Sequence, residues 1–315
     1  MNVTNENING LVDYSVSIID SITKDKKYPM RLKGIMYATF ASYLIQYGYE
    51  EIENICKVFE KTKFVMTSLS LPEYYKSNYG YMGDLSQGML EGAPAVTFTA
   101  MTMGPPIEAI DEIILSTYFD IEPLYFLEAF IHEVNHLFVS QKNRIYLEKG
   151  KLITRTGLQK NVISKTNMEE SARAFNEVIN SLQSEELVQN LLNLCGLKVN
   201  NNNFNNILEN IKYGTKKKYT CSGYEGMVQF YRELYNNPQF QSNLVESLSN
   251  GEINAIETDF DKRVGEGSYA EMTQKSDDLF KFITTNSPDI LTMVAINKID
   301  ILTSKYIQSG KTKAF

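Results

Sequence analysis

This sequence predicts an α+β protein that is mainly helical, and three observations support that fold class. Apolar residues recur at helical spacing through most of the chain. One stretch, Ala93–Met103, instead alternates in the way that a half-buried strand does. A polar motif interrupts an otherwise apolar helical segment, Phe126–Gln141. We therefore expect a small sheet and the motif helix in residues 1–165, and a helical part in residues 166–315.

The composition is that of a globular protein, and its acidic charge balance argues against a nucleic-acid partner. A length of 315 residues, with 43% apolar and 22% charged residues, suits one large domain or two packed lobes. The net charge is −7 and the pI is about 5.1. Because phosphate binding needs a basic surface, we expect no nucleic-acid partner.

The cysteines and the N-terminal residues predict a cytoplasmic protein. Cys56, Cys195 and Cys221 are widely spaced and form no C-x-x-C pair, so neither a cysteine zinc site nor a disulfide framework is expected. The first residues are polar and acidic, unlike those of a signal peptide. No apolar run approaches the roughly 18 residues of a membrane span, so we expect no membrane partner. A non-classical export route is compatible with the same residues.

The N-terminal region predicts helices followed by the strand. Residues 7–62 show helical spacing for two or three helices, with a break at Tyr28-Pro29. Their aromatic residues fit ordinary helix packing. Turn residues mark Phe64–Gly92, and a short helix is expected at Ile107–Leu115, after the Ala93–Met103 strand.

The motif helix is expected to begin near Asp120, which is a good N-cap, with Pro123 in the first turn. Its residues are apolar on nearly all sides, so the helix should be buried. Residues 144–165 are a turn-rich connection with room for a short hairpin. A long amphipathic helix is predicted at Asn167–Leu192.

The C-terminal region predicts an exposed linker and then helices. Asparagines and a lysine triplet between Leu197 and Cys221 are typical of a solvated, mobile connection. Helical spacing returns further along the chain, at Tyr224–Tyr235, Phe240–Leu248, Met272–Ile283 and Ile290–Ile307.

The motif itself is H-E-x-x-H, formed by His132, Glu133 and His136, and it contains both histidines of the chain. Residues four apart share one face of a helix, so both imidazoles can point at one ion. Neutral imidazoles bind Zn²⁺ well, and an adjacent carboxylate can take a proton from water. The alternative is a buried helix whose histidines hydrogen-bond to backbone groups. Burying three polar groups without partners is costly, which favours the metal.

A catalytic zinc site needs at least one more protein ligand, and with no third histidine it must be a carboxylate. The candidates lie on the predicted Asn167–Leu192 helix. Glu169 and Glu170 fit capping boxes at its start, and Glu185 and Glu186 lie in a polar stretch that favours solvation. Glu177 lies mid-helix among apolar neighbours and needs a partner. We therefore predict Glu177 as the third ligand, with Glu170 as the alternative.

Another carboxylate lies one turn before the first histidine. Glu128 shares a helix face with His132 and could orient its ring, or it could simply face solvent.

The pattern His132-Glu133-Val134-Asn135-His136, followed downstream by Asn176-Glu177, resembles the gluzincin class of zinc metallopeptidases. The resemblance implies a zincin-like fold, zinc ligation by His132, His136 and Glu177, and Glu133 as the general base. Two departures separate the chain from thermolysin-like enzymes. Ser181 stands where that pattern has an Asp, and the gap between His136 and Glu177 is longer.

The same resemblance suggests how a substrate would bind. In this class the strand before the motif helix is commonly an edge strand that pairs with an extended peptide; a plain internal strand is the alternative for Ala93–Met103. A donor to the oxyanion is also expected, and with both histidines used a tyrosine is favoured. We predict Tyr224, with Tyr219 and Tyr231 as alternatives.

The sequence therefore predicts a zinc-dependent metallopeptidase that hydrolyses peptide bonds in a peptide or protein substrate. In this mechanism Glu133 removes a proton from the attacking water and passes it to the leaving amine. Two alternatives remain: a non-catalytic zinc or interaction protein on the same scaffold, and a zinc hydrolase of non-peptide amides. A purely structural site has no need of Glu133, which favours the enzyme.

Overall fold

The computed structural model describes residues 7–80, 93–101, 109–118, 122–138, 144–164, 168–194, 224–250, 252–284 and 290–311. Within these ranges the protein is mainly helical with two small sheets, which confirms the predicted α+β class. The helices are α1 (Ile8–Ile22), α2 (Met30–Tyr47), α3 (Ile52–Lys61), α4 (Leu71–Tyr79), α5 (Pro123–Phe138), α6 (Arg173–Leu194), α7 (Glu225–Tyr235), α8 (Pro238–Asn250), α9 (Asn254–Val264), α10 (Ser268–Thr284) and α11 (Ile290–Lys311). The strands are β1 (Lys63–Thr67), β2 (Ala95–Met101), β3 (Ala109–Ser116), β4 (Ile145–Glu148), β5 (Lys151–Thr156), β6 (Gln159–Ile163) and β7 (Met168–Ser171).

The chain divides into two compact units, and each unit is built from two separate segments. The first unit comprises Met1–Val134 and Ser184–Thr220, and the second comprises Asn135–Gln183 and Cys221–Phe315. The boundaries at residues 134 and 183 lie inside α5 and α6, so each of these helices contributes to both units. The predicted boundary at residue 165 falls within the second unit.

The first unit begins with the predicted N-terminal helices. Pro29 precedes α2 as its N-cap residue, because a proline fixes φ without needing an intrahelical hydrogen bond at that position. Tyr37, Phe40 and Tyr43 of α2 are buried, and Phe40 packs edge-on against Phe59 of α3 at 5.8 Å between ring centroids. The aromatic residues of this region are therefore core packing, as predicted.

The sheet of the first unit has the order β1-β3-β2, with β1 parallel and β2 antiparallel to β3. The predicted strand is thus observed as β2, and it lies at an edge of the sheet within the described residues. The short helix predicted at Ile107–Leu115 is wrong, because Ala109–Ser116 is the central strand β3. Both faces of β3 are covered, so Ile113, Ile114 and Leu115 are all buried and the alternation that marks a strand is lost.

The two faces of this sheet hold different helices. Side chains alternate along a strand, so the register places Phe64 and Thr97 on the face of Ile113, towards α5. Phe64 packs against Phe130 of α5 at 5.7 Å between centroids. On the other face Phe98 packs edge-on against Tyr75 of α4 at 5.6 Å.

The second unit contains an antiparallel meander with the order β4-β5-β6-β7. The hairpin expected in residues 144–165 is confirmed. The helix predicted from Asn167 begins only at Arg173, because Met168–Ser171 pairs with β6 as strand β7. The capping boxes predicted with Glu169 and Glu170 are therefore wrong. Asp277 of α10 instead accepts a hydrogen bond from the Ala174 backbone N–H, at 2.8 Å.

The remaining helices of the second unit follow the predicted order, except that α9 was not predicted. Phe175 of α6 is fully buried and packs edge-on against three rings. These belong to Tyr231, Phe240 and Tyr269, at centroid distances of 5.4, 6.5 and 5.9 Å. The linker predicted between Leu197 and Cys221 lies outside the described residues.

None of the helices in the described residues is both long enough and apolar enough to cross a membrane.

Candidate metal centre

The motif lies on α5, as its helical spacing predicts. Eight apolar residues of this helix are buried, and at 3.6 residues per turn they occupy a little less than half of its circumference: Leu124, Phe126, Leu127, Phe130, Ile131, Val134, Leu137 and Phe138. This burial explains why the segment forms a stable helix, since tertiary packing supplies most helical stability. The motif residues lie on the other side of the helix, and because they are buried or half-buried they need polar partners.

His132, Glu133 and His136 form a group whose ligand atoms all lie within 4.8 Å of one another, and this group could hold a metal ion. His136 is buried, whereas His132 and Glu133 are half-buried. The two imidazoles share a helix face because they are four residues apart.

Glu177 of α6 lies next to His136. Its Oε2 is 3.5 Å from His136 Nε2, and its side chain is only 15% exposed. Two ligands bound tetrahedrally to Zn²⁺ at their usual bond lengths lie about 3.4 Å apart, so this pair has the spacing of two zinc ligands. Glu177 is not part of the group whose ligand atoms lie within 4.8 Å of one another, and it adjoins that group through His136. The donor types and this spacing fit a zinc ion.

The other carboxylates considered for the third position have different surroundings. Glu170 is exposed on β7, where it accepts a hydrogen bond from Gln159 and pairs with Arg173 at 3.6 Å. Glu185 is buried, at 8% exposure, so the prediction that it is solvated is wrong. The polar stretch around Glu185 looked solvated in the sequence, but that part of α6 is covered by other elements.

The imidazole of His136 is held on its other side by two carboxamides of α6. Its Nδ1 accepts hydrogen bonds from Asn176 Nδ2 at 2.9 Å and from Asn180 Nδ2 at 2.8 Å. Asn176 Oδ1 in turn accepts from the Leu158 backbone N–H at 2.7 Å. Asn135 Nδ2 donates to the Asn180 backbone carbonyl at 3.2 Å, so α5 and α6 are joined beside the ring. These bonds leave Nε2 as the nitrogen that faces Glu177.

The edge strand of the first unit contacts the motif residue Glu133 directly. The Thr97 hydroxyl on β2 donates a hydrogen bond to the Glu133 backbone carbonyl at 3.0 Å. This contact joins β2 to α5 at a motif residue.

The tyrosines predicted as oxyanion donors lie in varied surroundings. Tyr224 is the N-cap residue of α7, and its ring packs on Phe280 at 5.6 Å. Tyr231 is fully buried, its pKa is raised by burial, and its hydroxyl is hydrogen-bonded to Ser276. That bond gives Tyr231 a structural role. Tyr219 lies outside the described residues.

Sequence reasoning missed three residues near the motif. Asn180 lies four residues after Asn176, and this spacing within a buried stretch was a usable signal. Thr97 reaches the motif only through tertiary contact, so no local pattern marks it. Tyr75 is the third: burial raises its pKa, and the Glu133 carboxylate is among the charges that add to this shift.

Comparisons of the chain with protein families, with curated proteins and with solved structures each found no match. The chemistry of the residues around α5 is therefore the basis for assigning a function.

Proposed function

We propose that this protein is a zinc-dependent metallopeptidase with a zincin-like arrangement of its edge strand and motif helix. The observation that carries the proposal is the meeting of His136 Nε2 and Glu177 Oε2 at 3.5 Å, beside an H-E-x-x-H helix. A carboxylate from a second helix supplies the ligand that two histidines alone lack. His132, His136 and Glu177 would hold the ion.

A bound zinc ion would supply Lewis acidity and make water acidic enough to act near neutral pH. The remaining chemistry belongs to the protein. Glu133 is half-buried and adjoins both histidines, so its carboxylate can take a proton from the attacking water. The same carboxylate then delivers that proton to the nitrogen of the leaving amine. This transfer explains why a glutamate follows the first histidine.

The proposed substrate is a peptide in extended conformation. Within the described residues β2 pairs with β3 on one side only, and Thr97 anchors it to Glu133. A peptide that adds as a further strand beside β2 would bind through its backbone, with little dependence on its side chains. This mode of binding supports peptide hydrolysis over hydrolysis of small amides.

The first test measures bound metal and cleavage of a mixed peptide library by the purified protein. Glu133→Gln should keep zinc and lose at least about 100-fold in cleavage rate, which is the usual contribution of a general base. Unchanged cleavage by this variant would contradict the mechanism.

The second test concerns the third ligand. Glu177→Ala should lose most of the metal, because two histidines hold zinc weakly by themselves. Glu170→Ala is the matched control, since Glu170 pairs with Gln159 and Arg173 and should keep full metal occupancy. Full occupancy in Glu177→Ala would exclude Glu177 as a ligand.

A further inference from the structure

The turn between β5 and β6 holds the Asn176 carboxamide in one orientation. The Leu158 N–H donates to Asn176 Oδ1 at 2.7 Å, so the oxygen faces the turn. Gly157 has φ of +60°, and a Cβ at this position would lie within 3.0 Å of the same oxygen. Reversing the carboxamide would place its NH₂ group against the Leu158 N–H, and two donors would then face each other.

This orientation determines what His136 meets at Nδ1. The NH₂ group of Asn176 points at Nδ1 from 2.9 Å, and the NH₂ group of Asn180 lies 2.8 Å from the same atom. Nδ1 must therefore act as an acceptor. A neutral imidazole that accepts at one nitrogen carries its proton on the other, which here is Nε2.

We propose that the Gly157-Leu158 turn, acting through Asn176, holds His136 in the Nε2–H tautomer when no metal is bound. Asn176 is thus a positioning residue that opposes metal uptake at His136. The effect on metal binding rests on the proposed function, whereas the tautomer itself does not.

The opposition follows from the protons on the ring. Nε2 faces Glu177, and it must lose its proton before its lone pair can bind an ion. Nδ1 must then gain a proton for the ring to stay neutral. One proton is therefore released from Nε2 and one is bound at Nδ1. A metal-bound histidine normally donates its other N–H to an acceptor. Here that N–H would face the Asn176 NH₂ group, which cannot turn without breaking its bond to Leu158.

The tautomer can be measured directly on the metal-free protein. The chain has two histidines, so selective ¹⁵N-histidine labelling gives two rings, and a His132→Gln sample identifies the His136 signals. The spectra should be recorded well above the ordinary His pKa of about 6.5, where the rings are neutral. We expect a pyridine-like Nδ1 and a protonated Nε2 at His136. A protonated Nδ1 in the wild-type protein would overturn the proposal.

Asn176→Asp reverses the donor at nearly constant shape. One carboxylate oxygen still accepts from Leu158, and the other can accept from a protonated Nδ1 once the second donor at that atom, the Asn180 carboxamide, is removed by Asn180→Ala in the same protein. We expect His136 to change to the Nδ1–H tautomer and zinc affinity to rise by about ten-fold. That is the lower end of the change in metal affinity usually seen when a residue hydrogen-bonded to a metal ligand is replaced. An unchanged tautomer in this variant would also overturn the proposal.

Asn190→Asp is the matched control on the same helix. Asn190 Nδ2 donates to Gln46 Oε1 at 2.7 Å, and it lies about 20 Å along α6 from Asn176. It should change neither the tautomer nor the zinc affinity. If wild-type His136 carries its proton on Nε2 but the protein binds no zinc, the proposed function fails and the tautomer assignment stands.

Discussion

Two glycines of the second unit's sheet, one of them in the β5–β6 turn, differ in what an added Cβ would contact. Gly157 and Gly150 both adopt positive φ in hairpin turns, but only at Gly157 does another side chain lie close to the position that a Cβ would take. Around Gly150 there is nothing within 4 Å of an added Cβ, whereas at Gly157 that Cβ would collide with Asn176. An alanine at Gly150 would therefore introduce backbone strain alone, whereas an alanine at Gly157 would also displace the Asn176 side chain.

We predict that Gly150→Ala loses about 1–2 kcal/mol of unfolding free energy, the cost of a left-handed conformation for an L-residue. Gly157→Ala should lose at least about 1 kcal/mol more, because Asn176 must also move from its bond to Leu158. Chemical unfolding of both variants measures the difference. Equal losses would show that displacing the Asn176 side chain costs no unfolding free energy.

A second prediction at this scale concerns the proposed oxyanion donor. Tyr224→Phe should lower kcat by about 100-fold and leave zinc content unchanged, as removal of one oxyanion donor does. Tyr231→Phe is the control, since its hydroxyl is bonded to Ser276 in the core and should affect stability only. Similar kcat values in both variants would remove Tyr224 from the mechanism.

Residues of the candidate site differ in how far the sequence predicts them. His132, Glu133 and His136 follow from local helical spacing, because their relative positions are set by one helix. Thr97 and Leu158 reach the site only through contacts between distant parts of the chain. No local pattern encodes such contacts, so these residues could not be assigned in advance.

At the scale of elements, α6 depends on a cap from another helix. Asp277 of α10 accepts from the backbone N–H groups of Ala174 and Ala172 at the start of α6. Burial raises the pKa of Asp277 above its ordinary value of 3.8, although the two hydrogen bonds act in the opposite direction. The folded protein thus holds this proton more tightly than the unfolded chain does.

The resulting pH dependence has a definite sign. The stabilisation that comes from binding this proton is complete below pH 3.8 and is lost as pH rises through the higher folded-state pKa. Relative to Asp277→Asn, wild-type unfolding free energy should therefore fall between low and neutral pH. A constant difference across unfolding curves at several pH values would contradict this.

Removing the cap altogether is a separate test of the same element. Asp277→Ala should cost about 1–3 kcal/mol at neutral pH, because the Ala174 and Ala172 N–H groups lose their acceptor. Asp277→Asn keeps one oxygen and should cost less. Chemical unfolding at neutral pH measures both variants, and equal losses would show that Asp277 does not act as a cap.

The sheet of the first unit shows where a strand can be predicted from periodicity. Apolar and polar residues alternate along the edge strand β2, which was predicted. The central strand β3 is buried on both faces, and its run of apolar residues carries no period. The start of α6 was misplaced because Met168–Ser171 pairs with β6, a tertiary contact that overrides the capping pattern in the sequence.

At the scale of the whole molecule, each unit consists of two segments that are separate in the sequence. A cut at one point in the chain therefore cannot give two complete units. The first unit includes the last part of α6, where Leu187, Val188 and Leu191 are fully buried. Asn190 of the same segment is hydrogen-bonded to Gln46 of α2. The first unit is therefore incomplete without residues that follow the second unit's sheet in the chain.

We predict that a fragment comprising residues 1–165 does not fold by itself, because it lacks the buried side chains of α6. Its amide NMR spectrum should show the narrow dispersion of an unfolded chain, in contrast to the spectrum of the full-length protein. A well-dispersed spectrum would instead support a domain boundary at residue 165.

The cap on α6 also has a consequence for the order of events during synthesis. Asp277 follows Ala174 by 103 residues, and Glu257 follows its partner Arg155 by 102. At a translation rate of roughly 5–20 residues per second, the start of α6 leaves the ribosome about 5–20 s before its cap exists. Any helix that carries Asn176 and Glu177 during that interval therefore lacks the Asp277 cap at its N-terminus.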